Sequence, residues 1–321
     1  MKKIISMLIL SALAVVSFSA CDDLDEFDEY YDSVWDETDN YEYASDNNET
    51  EAASEITADP EAGEGSASDG YYFTDFSSSY GTAGKLEGTT VIVSIFVNDA
   101  TTSWDFEADS ETIEKTLTYL NTATEWVRLN AAKYGSDVSF VCDWKSDPDL
   151  MYTADFDESL VRFDSDMYDV QSDYAYTSTD MVGLLNRYEA DNIIFFYFFN
   201  TDYSCDVRSW TLSYSESYPL FIEFTNVFVK FGGEFITETA SYAHEILHSF
   251  GAPDFYYAGD IIPQKFVDYC NEEGLDDIMF KVNAGDYVRI SFTDLDAYYV
   301  GIGPRPAMAD EWSLGNSQFG Y

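Results

Sequence analysis

Thr90-Val-Ile-Val-Ser-Ile-Phe-Val97 is a β-branched, nearly continuous apolar run closed by Asn98 and Asp99, the pattern of a strand buried on both faces. The residues that follow predict a helix. Asp109 or Ser110 can cap it, and Glu111 and Glu114 suit its positive first turn. Ile113, Leu117, Leu120, Val127, Ala131 and Tyr134 recur at helical spacing, and Gly135 ends it. Val138 to Trp144 then reads as a second strand. Strand, helix, strand in that order is a βαβ unit, and its parallel pairing demands cover on both sheet faces. Ile193-Ile-Phe-Phe-Tyr-Phe-Phe199, bounded by Asn192 and Asn200, is too short to span a bilayer and reads as a central strand. Leu220 to Phe224 and Asn226 to Lys230 read as further strands or one bent strand. No internal repeat or later linker interrupts residues 71–321, so one α/β (α+β) domain is expected there.

Upstream of that domain the composition changes. The chain has 321 residues, 61 acidic against 15 basic, for a net charge of -46. A surface this negative repels polyanions, which excludes a general nucleic-acid binder. From Asp22 to Gly70 there are nineteen Asp or Glu and no Lys or Arg, with no apolar period, so residues 21–70 read as an extended, solvated spacer. Residues 71–321 keep 42 acids against 13 bases, so the folded part is acidic in its own right. Residues 1–20 have the layout of a secretory signal: Lys2 and Lys3, then an apolar run from Ile4 to Phe18. Ser19-Ala20-Cys21 resembles the lipobox of bacterial lipoproteins, although Phe18 replaces the usual aliphatic residue. That resemblance implies that Cys21 is acylated and anchors an extracytoplasmic protein to a membrane. The competing reading is ordinary cleavage near Ala20 that leaves Cys21 a thiol. Both send the chain out of the cytoplasm.

The chemistry concentrates in His244-Glu-Ile-Leu-His248, which holds both histidines of the chain. Random placement gives two histidines this spacing, with Glu after the first, roughly once in two thousand trials. Residues four apart share a helix face, so both imidazoles can meet one metal ion, with Glu245 one step round. Zinc is the expected occupant; it would acidify a water that Glu245 finishes deprotonating before passing the proton to a leaving amine. Gly251 can end the helix in a left-handed turn, Pro253 stops it resuming, and Asp254 can return as third ligand. Glu272 or Glu273 on a later helix is the alternative third ligand.

The full spacing, His244, Glu245, His248, Gly251, Asp254, resembles the extended zinc motif of metzincin metallopeptidases in the version with Asp as third ligand. The resemblance implies a zincin catalytic domain, with a mixed twisted sheet, a backing helix and an active-site helix starting near Thr237. It implies a methionine turn under the metal, for which Met279 stands 25 residues after Asp254. It also implies a closing helix, to which Thr293 and Asp296 offer a capping box. Lys281 stands where many members carry an oxyanion-stabilising Tyr, so Tyr298, Tyr299 or a backbone amide remain candidates for that role.

The implied substrate is an extended peptide or protein that adds to an edge strand, placed within residues 219–230. No calcium loop is evident. With Cys21 assigned to lipid, Cys142, Cys205 and Cys270 allow one disulfide, and Cys205 to Cys270 is the pairing expected. The leading expectation is therefore a lipid-anchored zinc endopeptidase. A peptidase-like surface binding or adhesion lipoprotein without activity is the rival, motivated by Lys281, the aromatic content and the tether.

Overall fold

In the computed structural model, residues 84–160, 166–205, 209–212, 223–233 and 235–319 are described. All of them belong to one compact unit, residues 68–321. The expected signal, Cys21 and the acidic spacer lie outside the described residues.

The Thr90 run forms β1 (Thr89–Asn98), whose middle eight residues are all buried. Helix α1 (Ser110–Ala131) follows and ends in a short 3-10 turn at Gly135, where φ is +86°. Asp109 occupies the N-cap position without capping: its carboxylate accepts from Asp105 N and Asn200 Nδ2 instead. The expected second strand is only β2 (Ser139–Val141), parallel to the start of β1. A strand that sequence reading missed, β3 (Met151–Asp155), runs parallel to the other half of β1. Two helices, α2 (Asp166–Ser178) and α3 (Met181–Tyr188), lead to the all-buried β4 (Asn192–Phe199). Next come β5 (Trp210–Leu212), β6 (Glu223–Phe228) and a small hairpin of β7 (Lys230–Phe231) with β8 (Phe235–Ile236). The chain closes with α4 (Thr239–Ser249), α5 (Gln264–Glu273), α6 (Asp294–Tyr299) and α7 (Ala307–Glu311).

The main sheet runs β2-β1-β4-β6-β5, with β3 sharing the β1 edge. Every pairing is parallel except β5 to β6, so the sheet is mixed and the fold is α/β in the α+β sense. Among the described residues β5, Trp210–Leu212, is outermost on the β6 side; residues 223–228 of the expected edge segment form the interior β6, and residues 219–222 lie outside the described residues. β6 lies between β4 and β5 and is buried at every position, its polar Glu223, Thr225 and Asn226 included.

Alternation along the strands divides the core in two. Ile92, Phe96, Ile194, Phe196 and Val227 pack with α1, α4 and the C-terminal elements. Val93, Ile95, Phe195, Tyr197 and Phe228 pack on the opposite face with Met181, Leu184 and Leu185 of α3. This division excludes the expected disulfide. Cys270 is a buried thiol in the first layer, whereas Cys205 packs against the second, with the sheet between them. Among the described residues no helix is long and apolar enough to cross a membrane.

Candidate metal centre

Helix α4 is buried along nearly its whole length, from Thr239 through Ser249. Its N-terminus is tied to the 283–289 loop: Thr239 Oγ1 donates to Asp286 O at 3.0 Å, and the Glu238 carboxylate accepts from Gly285 N. One turn separates His244 from His248, so both rings leave the same face, with centroids 4.5 Å apart. Each ring is fixed by a backbone carbonyl: His244 Nδ1 meets Ile278 O at 2.8 Å and His248 Nδ1 meets Ala252 O at 2.7 Å. A carbonyl only accepts, so each Nδ1 carries the hydrogen and each neutral ring turns the lone pair of Nε2 inward.

Those two nitrogens lie 3.0 Å apart. Asp254 Oδ1 lies 3.2 Å from Nε2 of His244 and 3.0 Å from Nε2 of His248. It is buried and satisfied by no hydrogen bond. Three electron-rich atoms thus crowd together with no proton required between the nitrogens, which is repulsive unless a cation sits among them. Ligands of a tetrahedral ion with bonds of about 2.0–2.1 Å are about 3.3 Å apart, so the trio fits such an ion after shifts of a few tenths of an ångström. Without an ion, a proton on His248 answers the same demand for positive charge. Burial opposes a proton on His248, but the Asp254 carboxylate beside it pushes that ring up to about 9. Burial likewise works against the Asp254 charge, yet His248 and His244 hold the carboxyl well below the usual range.

Asp254 reaches this place by the expected turn. Gly251 has φ +90° and its N–H bonds His248 O at 2.9 Å; a Cβ there would run into the Gln318 amide. Met279 is fully buried, in a turn that supports the trio from two sides. Ile278 O holds the His244 ring, and Met279 O accepts from Phe255 N at 2.8 Å, pinning the residue after Asp254. Glu245 is 5% exposed, and burial raises its carboxyl above the ordinary value. Its Oε2 accepts from Thr211 Oγ1 on β5 at 2.6 Å.

Other sequence-derived candidates lie elsewhere. Glu272 and Glu273 are exposed on α5, which removes them as third ligand. Tyr298 and Tyr299 are fully buried, and their hydroxyls are engaged with the C-terminal segment. Tyr298 OH meets Arg305 Nη1 and Ser317 N, and Tyr299 OH donates to Gly315 O at 3.2 Å. Neither is placed to donate to an oxyanion at the trio. Lys281 Nζ turns to Gly274 O at 3.3 Å. The capping box does form, with Asp296 in place of the usual Glu.

Sequence reasoning missed four contributors. Thr211 meets Glu245 and is itself met by Thr225, Tyr256 stacks on His244 with rings 6.1 Å apart, and Asp277 pairs with Asp296 under the Met279 turn. Only Tyr256 had a signal, its place two residues after Asp254. Compared with known proteins, the chain matches no family model and no curated sequence.

Proposed function

We propose that this protein is a zinc-dependent endopeptidase of metzincin-like fold, exported and held at a membrane by lipid on Cys21. The convergence of His244 Nε2, His248 Nε2 and the unsatisfied Asp254 Oδ1, with a buried Glu245 beside them, carries the reading. Zinc suits a donor set of two neutral imidazoles and one carboxylate, and when bound it supplies a Lewis acid that acidifies water and polarises a carbonyl. The chain's own residues do the rest. Glu245, whose carboxyl is raised by burial, is suited to take a proton from the attacking water and give it to the leaving amine. An extended peptide is the substrate this reading expects, and β5, the outermost described strand beyond β6, carries the Thr211 hydroxyl that meets Glu245. The leader through Cys21 and the acidic spacer support placement outside the cytoplasm, at the end of a tether.

One observation favours the rival, a surface binding lipoprotein without activity. Of the side chains put forward as oxyanion donors, Tyr298 and Tyr299 are engaged elsewhere, and Lys281 points to the end of α5. Metal content by mass spectrometry, paired with cleavage of a broad peptide library by the parent and by Glu245→Ala, separates the two. One zinc in both with cleavage only by the parent supports the peptidase. Zinc in both without cleavage by either supports the binding module, and protein that holds no metal under mild conditions ends the peptidase reading.

A further inference from the structure

The carboxylate of Glu245 does not hang from α4 unsupported. Thr211 Oγ1, on β5, lies 2.6 Å from Glu245 Oε2 and 3.2 Å from the Glu245 carbonyl oxygen. It also lies 2.9 Å from Oγ1 of Thr225, its register partner on β6. Thr225 is fully buried. A hydroxyl has one proton, and the shorter contact takes it, so Thr211 donates to the carboxylate. Thr211 must then accept from Thr225. The direction of the chain is fixed: Thr225 O–H to Thr211 O–H to Glu245, each link polarising the next. We infer that Thr211, backed by Thr225, is a positioning residue that sets the Glu245 carboxylate at the angle the reaction needs.

This inference rests on the peptidase reading for its kinetic consequence and on geometry alone for the rest. Thr211→Val keeps the shape and removes the donor, Thr211→Ser keeps the donor, and Thr225→Val removes the second link. Crystal structures, zinc content, kcat and KM are measured for each and for the parent. In Thr211→Val the Glu245 carboxylate should leave its position while one zinc per chain remains. Its kcat should fall about 10–100-fold, as for other supporting partners of a metal site, with KM within about twofold. Thr211→Ser should restore both the carboxylate position and kcat, and Thr225→Val should cost kcat less than Thr211→Val. An unmoved carboxylate in the Thr211→Val crystals overturns the inference, as does equal loss of kcat in the Val and Ser variants. If the parent cleaves nothing, the peptidase reading alone fails, and the crystal comparison decides the positioning by itself.

Discussion

Two sets of acids meet at the 277–279 turn, and they resolve burial in opposite ways. Asp254 faces two imidazoles, which overcome the penalty of burial and keep it charged. Asp277 and Asp296, both fully buried, face each other. Burial and the neighbouring carboxyl push Asp296 well above the ordinary range, and burial raises Asp277 with it. Thr293 joins the pair, donating Oγ1 to Asp277 Oδ2 at 2.6 Å and its N–H to Asp296 Oδ2 at 2.7 Å. Asp277 Oδ1 accepts from Met279 N at 2.7 Å. One side of the turn thus keeps its charge and the other shares a proton. Local charge, more than depth, decides which neutralisation a buried carboxyl takes.

Removing the proposed zinc is the largest way to break the contrast. A metal present at a thousandfold excess over its Kd stabilises by about 4 kcal/mol. For a domain of this size that corresponds to a melting temperature higher by roughly 8–16 °C. We expect a chelator to abolish that increment in the parent, and Asp254→Ala to show no response to zinc in the same thermal melt. An equal zinc response in Asp254→Ala would remove Asp254 from the ligand set.

The next effect tests the turn that delivers Asp254. Gly251→Val introduces a side chain at φ +90° and drives it into Gln318. Strain of this kind costs on the order of 1–3 kcal/mol. The variant should bind zinc about 10–100-fold more weakly, because the third ligand is displaced. Isothermal titration with zinc measures this directly, and parent-like affinity would mean that the loop reaches the site without the left-handed turn.

These two effects concern the part of the molecule most legible in its sequence. His244, His248, Gly251 and Asp254 announce themselves because ligand chemistry is local, with every partner inside eleven consecutive residues. β1, α1 and β4 were legible for a similar reason, since their apolar periods are long and bounded by clear breaks. β3 was hidden because Met151–Asp155 is short and only Ala154 in it is buried. The edge expectation missed at residues 223–228 because β6 buries every position, the polar Glu223, Thr225 and Asn226 included, which an apolar pattern does not foretell. Thr211, Thr225 and the Asp277–Asp296 pair gave no signal. Their meaning comes from partners up to 34 residues away, brought together by the sheet and the closing helices.

Proton sharing gives a smaller, pH-dependent effect. The pair's raised values mean that folding takes up protons. Its stability is complete below about pH 4, the ordinary carboxyl range. It declines as the pH rises through about 6, to which Asp277 is pushed, and further as Asp296, raised beyond the ordinary range, gives up the last proton. Asp296→Asn imitates the protonated acid, keeping an acceptor for Thr293 N and offering a donor to Asp277. Denaturant unfolding at pH 8 should show the variant more stable by on the order of 1–3 kcal/mol, with a flatter profile between pH 4 and 8. Asp254→Asn should not reproduce that gain. A variant no more stable than the parent at pH 8 would mean that the pair is neutralised by other means.

The smallest effect reads the same pair through a neighbouring thiol. Burial, and then the charge of Asp277, push the Cys270 thiol up to about 12, so it reacts only when the surrounding structure opens. With no disulfide to Cys205, reductant should leave the melting temperature unchanged. Labelling of Cys270 by a thiol reagent should be slow in the native parent and complete once it unfolds. Raising the pH increases labelling tenfold per unit through thiolate chemistry alone. In the parent, ionisation of the acid pair adds to this by loosening the 277–279 turn, so the rate should climb more steeply. In Asp296→Asn only the chemical slope should remain, leaving its Cys270 roughly five- to tenfold slower to label than the parent's at pH 8, the factor that one or so kcal/mol sets. Identical slopes in the two proteins would show that opening at Cys270 does not depend on the pair, and would confine the cost of the shared proton to global unfolding.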